Sequence, residues 1–85
     1  EAHKLVLMVY KTTNSFPKEE LFCLMPQMRR AAVSIPANIV EGHAKRSFKD
    51  FIRFLNISNG SLVELEYYFE LCLALGYLNQ STYEE

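Results

Sequence analysis

The fold is decided by the stretch from Arg29 to Gly42, which reads RRAAVSIPANIVEG. Its apolar residues continue an upstream pattern that repeats every three or four residues, as on one face of an α-helix. The members of this stripe are Leu21, Leu24, Met28, Ala31, Ile35 and Ile39. Pro36 interrupts the pattern, and inside a helix it removes one backbone hydrogen bond and bends the axis. We therefore expect a kinked helix that packs at the centre of a helical bundle.

Two further helices are expected to flank this segment. The apolar run of residues 5–10 is far shorter than the ~20 residues that span a membrane, and we interpret it as part of a buried helix. A long helix is expected to begin at a cap on Ser47 and to end before Gly76. Met25-Pro26 is expected to divide the central segment in two, because proline disfavours the α conformation in the residue before it.

Together these helices predict an all-α domain, an antiparallel up-down four-helix bundle. Ser81 and Glu84 have the spacing of a capping box, so a fourth helix is expected to start there and to be largely absent from this chain. We expect residues 1–85 to be a single helical-bundle domain that is truncated at both ends. A domain this small lies near the margin of stability and gains from self-association.

Composition argues against a cofactor or an active site. Two cysteines without metal-ligand spacing, Cys23 and Cys72, are expected to be buried, reduced thiols of a cytoplasmic protein. Glu41, Glu64 and Glu66 lack the Glu-x-x-His motif with which helical bundles bind paired metal ions. His43 stands alone beside Gly42 without a recognisable nucleophile–base set, and no glycine-rich phosphate loop is present. We therefore expect neither enzymatic activity nor a metal, and no catalytic residue.

Polar residues on or beside the apolar stripe form a first candidate group. They are Arg30, Ser34, Asn38, Glu41, Ser61 and Glu64. Buried polar groups need hydrogen-bond partners, so these residues are expected to form a network that fixes helix register or the seam between protomers. A ligand or partner site is the alternative. The small residues 58–61 are expected to pack against alanines of the central helix, with Gly60 allowing a close approach.

Local charge supplies the main functional candidate, although the formal net charge is only −1. The candidate nucleic-acid-binding residues are Arg29, Arg30, Lys45, Arg46, Lys49 and Arg53. The last four fall within nine residues, and repetition around a ring of subunits would make an anion-binding surface. An ordinary solvated helix start is the alternative. Phe48, Phe51 and Phe54 interleave with these cations, as in proteins that stack bases, but their core spacing predicts burial.

Several blocks of the sequence resemble a known family. They are Phe16-Pro17, residues 27–42, residues 47–55, residues 60–66 and residues 76–78. Over about residues 5–80 the chain is similar to the small four-helix bundle proteins encoded in 23S ribosomal RNA intervening sequences. That resemblance implies a homopentamer of four-helix bundles with no established biochemical activity. It also implies a fold like that of the accessory variability proteins of diversity-generating retroelements, basic pentamers that bind nucleic acid and a reverse transcriptase.

Two functional hypotheses follow from the sequence. In the first, the chain is a non-enzymatic homo-oligomer that binds RNA or DNA through the basic start of its long helix. In the second, it is a protein-only scaffold or adaptor that self-assembles and binds a partner protein through its wide apolar faces. Neither hypothesis involves a membrane.

Overall fold

Three α-helices make up residues 1–78, the part of the chain that the computed structural model describes. Helix α1 covers Ala2–Thr13, α2 covers Leu24–His43 and α3 covers Phe48–Leu75, with a 3₁₀ turn at Lys18–Glu20 between α1 and α2. No strand occurs among these residues. The prediction of an all-α bundle is confirmed. The capping box expected at Ser81 lies outside the described residues.

Helix α2 is the central element, because it contacts both α1 and α3. Its contacts with α3 run in opposite order along the two helices. Ser34 of α2 is hydrogen-bonded to Ser61 of α3, whereas the earlier Met28 reaches the later Cys72. The two helices are therefore antiparallel, as predicted. Pro36 lies inside α2, also as predicted.

One hydrophobic core joins the three helices. The stripe predicted along α2 is buried from Leu24 to Ile35, and Ile39 packs against it half-buried. The buried apolar residues are Val9, Leu24, Met28, Ala31, Ala32, Ile35, Leu65 and Cys72. Leu21 was assigned to the stripe wrongly: it is 46% exposed, because it lies in the turn before α2.

The break before α2 lies earlier than the sequence predicts. Residues 21–23 form turns and α2 begins at Leu24, so Pro26 sits in its first turn, where a missing N–H leaves no helical bond unmade. The Glu20 carboxylate accepts a hydrogen bond from the Leu24 backbone N–H at 3.3 Å. The division expected at Met25-Pro26 is therefore wrong.

Helix α3 has the length and the ends that its sequence predicts. Its 28 residues make a rod of about 42 Å at 1.5 Å per residue. The Ser47 hydroxyl accepts a hydrogen bond from the Asp50 backbone N–H and so caps the start of the helix. Gly76 ends it in the left-handed conformation at φ 82°, and the Tyr77 N–H donates to the Cys72 carbonyl at 2.9 Å.

Close packing between α2 and α3 is found at Gly42 and not at Gly60, where the sequence predicts it. Gly60 was expected to allow close contact, but among residues 1–78 no atom beyond its chain neighbours and the backbone of its own helix lies within 4 Å of the position that a Cβ would take there. Its neighbour Ser58 is buried instead and donates a hydrogen bond to the Ile35 carbonyl at 2.9 Å. At Gly42, by contrast, a Cβ would lie 3.2 Å from the Phe54 Cβ. The expectation for Gly60 is wrong within this chain.

The two cysteines lie in different environments. Cys72 is buried with its Sγ 3.6 Å from the Met28 Sδ, and burial raises the pKa of its thiol to about 11. Cys23 is exposed because it lies in the turn before α2, so the expectation that both thiols are buried is wrong for this residue. Both cysteines are free.

Candidate nucleic-acid interface

The connection between α2 and α3 collects basic residues at one end of the molecule. We call residues 42–54 the basic turn. Residues 44–47 join the two helices. Gly42 is buried in the last turn of α2, and both Phe51 and Phe54 of α3 pack against it. This close packing holds the first turns of α3, and the cations that they carry, against the end of α2.

Two of the predicted cations lie on one aromatic ring. The Lys45 Nζ is 5.2 Å from the centroid of the Phe54 ring, and the Arg53 Cζ is 5.0 Å from the same centroid. The Lys45 Nζ also lies 3.5 Å from the Glu41 carboxylate. An exposed ion pair of this kind is weak, typically worth about 0.3–0.5 kcal/mol between residues four apart on a helix. Lys45 and Arg53 are therefore held in place without being neutralised to any large extent.

The other two predicted cations of the basic turn are free. Arg46 and Lys49 are exposed, and neither forms an ion pair with any residue between 1 and 78. Asp50 is the acidic residue within the turn. Positive charge therefore outweighs negative charge at this end of the bundle.

A cleft of about 260 Å³ opens on the surface of the basic turn. It is lined by Gly42, His43, Lys45, Arg46, Ser47, Phe48 and Phe51. The ring centroids of His43 and Phe51 are 5.3 Å apart, and those of Phe51 and Phe48 are 6.3 Å apart. Cationic and aromatic side chains thus line the same concave surface.

Phe48 is the residue of this cleft that the sequence analysis placed wrongly. All three phenylalanines were expected to be buried, and Phe51 and Phe54 are partly buried. Phe48 is 76% exposed. It is the first residue of α3, so no preceding turn of helix covers its ring. Its place directly after the Ser47 cap was the signal that could have shown this.

The structure does not bring Arg29 and Arg30 to the basic turn. They precede the last residue of α2 by 14 and 13 positions, which corresponds to about 20 Å along the axis. Arg29 instead joins α2 to α1: its Nε donates to the Thr13 Oγ1 at 2.8 Å, and its guanidinium lies 4.5 Å from the centroid of the Tyr10 ring. The expectation that both arginines add to the same basic region is therefore wrong.

A second cleft, also of about 260 Å³, lies between α2 and α3. It is lined by Gln27, Arg30, Ala31, Ser34, Ser61 and Glu64. The Ser34 Oγ is the centre of its hydrogen bonds, accepting from the Ser61 hydroxyl at 2.7 Å and from the Asn38 amide at 2.8 Å. Arg30 and Glu64 are exposed at the same cleft and form no ion pair with each other. The structure thus joins three of the six predicted network residues and places two beside them.

The hydrogen bonds of the structure depart from the predicted network at two residues. Glu41 was expected to be a buried member, but its side chain is 59% exposed and pairs with Lys45 in the last turn of α2. Tyr68 was not predicted, yet its hydroxyl donates to the Gln27 Oε1 at 2.8 Å. Burial and the nearby Glu64 carboxylate raise the pKa of Tyr68.

Metal-binding groups and membrane spans were also sought among residues 1–78. No three His, Cys, Asp or Glu side chains of this part of the chain are placed so that they could hold a metal ion. None of the described helices is both long enough and apolar enough to cross a membrane.

Comparisons with known proteins identify what the chain is similar to. The family model described as 23S rRNA-intervening sequence protein matches residues 1–85. A crystal structure of a protein with unknown function from the S23 ribosomal protein family of Bacteroides thetaiotaomicron is 30% identical in sequence, with a TM-score of 0.85. That alignment covers 98% of this chain and 78% of the Bacteroides protein. No curated protein matches the chain.

Proposed function

The chain belongs to the 23S rRNA-intervening sequence protein family, and from the geometry of its basic turn we propose that it binds RNA or DNA there. The family and the similar Bacteroides protein are of unknown function, and the support for this proposal comes from the side chains of the basic turn. The observation that carries it is the pair of unpaired cations, Arg46 and Lys49, beside a cleft that aromatic rings also line. Phosphate contacts by such cations supply most of the affinity of proteins for nucleic acid.

The distribution of charge supports this assignment better than the net charge does. Glu19 and Glu20 lie near the opposite end of α2, about 30 Å from the basic turn along a helix of 20 residues. Glu64, Glu66 and Glu70 of α3 also lie far along the helix from its basic start. A polyanion that approached the molecule would therefore be attracted most strongly to the basic turn, where cations outnumber acidic residues.

Self-association would strengthen binding, and we include it in the proposal. One basic turn supplies about four cations, which is few for tight binding to a polyanion. A homo-oligomer, for which the homopentamer is the specific expectation, presents several basic turns to one strand and gains affinity through effective concentration. The sedimentation mass of the full-length protein is expected to be near five protomers, and a monomer at micromolar concentration would contradict this part.

Filter binding of a labelled oligonucleotide at two salt concentrations tests the proposal. With about three phosphates contacted per protomer, affinity is expected to fall at least tenfold between about 50 mM and about 200 mM salt. The double substitution Arg46→Ala/Lys49→Ala should weaken binding and flatten this salt dependence, because it removes the two unpaired cations.

The matched control removes the same charge elsewhere. Lys4 and Lys11 are exposed on α1, and Lys4→Ala/Lys11→Ala should leave affinity nearly unchanged. Absence of binding by the unmodified protein at low salt would refute the proposal, as would equal losses in the two double variants.

A protein-only scaffold is the second candidate, and a specific observation favours it. Helix α3 exposes large apolar side chains along its middle, including Ile57 at 44%, Val63 at 57% and Tyr67 at 59%. Gly60 lies in the same segment with open space at its Cβ position. If the molecule only assembles with proteins, Val63→Glu should abolish its association while the unmodified protein binds no nucleic acid at low salt.

A further inference from the structure

We propose that the nucleic acid bound at the basic turn is single-stranded, and that one of its bases stacks on the ring of Phe48. This inference rests on the proposed function and specifies the class of nucleic acid for the same site. It is carried by one exposed aromatic ring, the rings beneath it and the cations around it.

The exposure of Phe48 is the first step. Its side chain is 76% exposed, although large aromatic side chains are normally buried because contact with water is unfavourable for them. Its backbone belongs to the first turn of α3, directly after the Ser47 cap. An exposed, flat aromatic ring is the feature on which proteins stack unpaired bases.

Two further aromatic rings lie near Phe48 in the basic turn. Phe51 lies between Phe48 and His43, with ring centroids 6.3 Å and 5.3 Å away. Phe51 is itself only half-exposed, and it packs where Gly42 lets α3 approach the end of α2. A base that stacks on Phe48 would therefore join an existing cluster of tilted aromatic rings.

The two unpaired cations of the basic turn are close neighbours of Phe48 in the sequence, and on binding they would contact the phosphates that flank a stacked base. Arg46 lies two residues before Phe48, Lys49 follows it directly, and neither has a partner in an ion pair within residues 1–78. The cleft beside Phe48 measures about 260 Å³. Lys45 and Arg46 line this open cleft together with Phe48.

A second exposed phenylalanine lies in a different electrostatic environment. Phe22 is even more exposed, at 87%. It lies in the turn before α2, two residues after Glu20 and three after Glu19, and these two carboxylates outnumber the one cation of that segment, Lys18. Phe22 therefore provides a control that matches Phe48 in residue type and exposure and differs in the surrounding charge.

A duplex would not use this ring. Bases within a double helix are stacked on each other, so a protein contacts a duplex mainly through phosphates and groove edges. An aromatic platform gains free energy only from bases that are already unstacked. Phe48 should accordingly matter for single strands and not for duplexes, whereas Arg46 and Lys49 should matter for both.

Fluorescence anisotropy with the full-length protein tests the inference. The probes are labelled oligothymidylate, a uridine oligonucleotide of the same length and a blunt DNA duplex, all at one low salt concentration. Phe48→Ala should weaken binding to both single strands by about 5- to 150-fold, the range that alanine substitution of stacking residues gives. Duplex binding and the salt dependence should be unchanged, because no charge is lost. Phe22→Ala should leave all three affinities unchanged.

A second variant reports stacking directly. The 85 residues contain no tryptophan, so Phe48→Trp introduces an indole whose emission a stacked base quenches. Quenching by single strands is expected for Phe48→Trp, together with retained affinity, and no quenching is expected for Phe22→Trp.

The outcomes separate this inference from the proposed function. If the unmodified protein binds single strands and Arg46→Ala/Lys49→Ala abolishes binding, but Phe48→Ala binds normally and Phe48→Trp is not quenched, the stacking inference is overturned and the proposed function stands. A duplex that binds as tightly as the single strands also overturns it. If no probe binds at low salt, both the inference and the proposed function fail.

Discussion

Replacing Arg29 with alanine is expected to destabilise the domain, although the residue is charged and looks like a surface cation in the sequence. Its Nε donates to the Thr13 Oγ1 at 2.8 Å, and its Nη2 donates to the Tyr10 carbonyl at 3.2 Å. Its guanidinium also lies 4.5 Å from the centroid of the Tyr10 ring. These three contacts connect α2 to α1, so their loss weakens the packing of the two helices against each other.

The size of the effect can be worked out from these contacts. A charge-assisted hydrogen bond to a partly buried group contributes about 1.5–3 kcal/mol, and an exposed cation–π contact contributes about 0.5–1 kcal/mol. Thr13 is fully buried, but its hydroxyl keeps its own hydrogen bond to the Val9 carbonyl at 2.8 Å. The variant therefore leaves no donor unpaired, and the expected loss is near the lower end, about 2 kcal/mol.

Urea and thermal denaturation measure this loss, and Arg30→Ala is the matched control. Arg30 is the next residue along α2, is exposed and forms no ion pair within residues 1–78. A loss of about 2 kcal/mol at Arg29 lowers the melting temperature by about 8–16 °C in a domain of this size. Arg30→Ala should change stability by less than about 0.5 kcal/mol. Equal effects at the two positions would refute the conclusion that Arg29 stabilises the contact between α1 and α2.

Two further pairs of residues give opposite outcomes for similar changes. Gly42→Ala should destabilise the domain by about 1–3 kcal/mol, because the added Cβ would lie 3.2 Å from the Phe54 Cβ. Gly60→Ala should stabilise the domain by about 0.5–1 kcal/mol, because alanine favours the helix and meets open space there. Chemical denaturation measures both changes, and a loss of stability in Gly60→Ala would contradict the reasoning. An alkylating reagent should modify the exposed Cys23 rapidly and Cys72 only on unfolding, as followed by mass spectrometry. Burial raises the Cys72 pKa from 9.0 to about 11. The stability that the neutral Cys72 thiol contributes is therefore complete below about pH 9 and is lost as the pH rises to about 11. Cys72→Ala should make the free energy of unfolding less dependent on pH in this range.

The helices could be predicted from the sequence because their signals are local. The Ser47 cap, the glycine at Gly76 and the stripe along α2 each depend on residues within a few positions of one another, and the structure confirms them. The start of α2 was misplaced by two residues because proline is equally compatible with the residue after a break and with the first turn of a helix, and Pro26 lies in that first turn.

The candidate site could be predicted only in part, for two physical reasons. The four cations near the start of α3 are close in sequence and therefore close in space. Arg29 could not be assigned, because its partner Thr13 is 16 residues away and the contact depends on how α1 lies against α2. The exposure of Phe48 was missed for the second reason. Helical periodicity shows which face of α3 a residue belongs to, but it does not show whether another part of the chain covers that face at that position.

The most direct test of the central claim is to map where nucleic acid binds on the protein. Isotope-labelled full-length protein would be titrated with a short single-stranded oligonucleotide at low salt, and the backbone amide shifts followed by NMR. The largest changes are expected within residues 42–54, around Arg46, Phe48 and Lys49. Changes centred on the second cleft or on residues 18–23, or no change at all, would contradict the account.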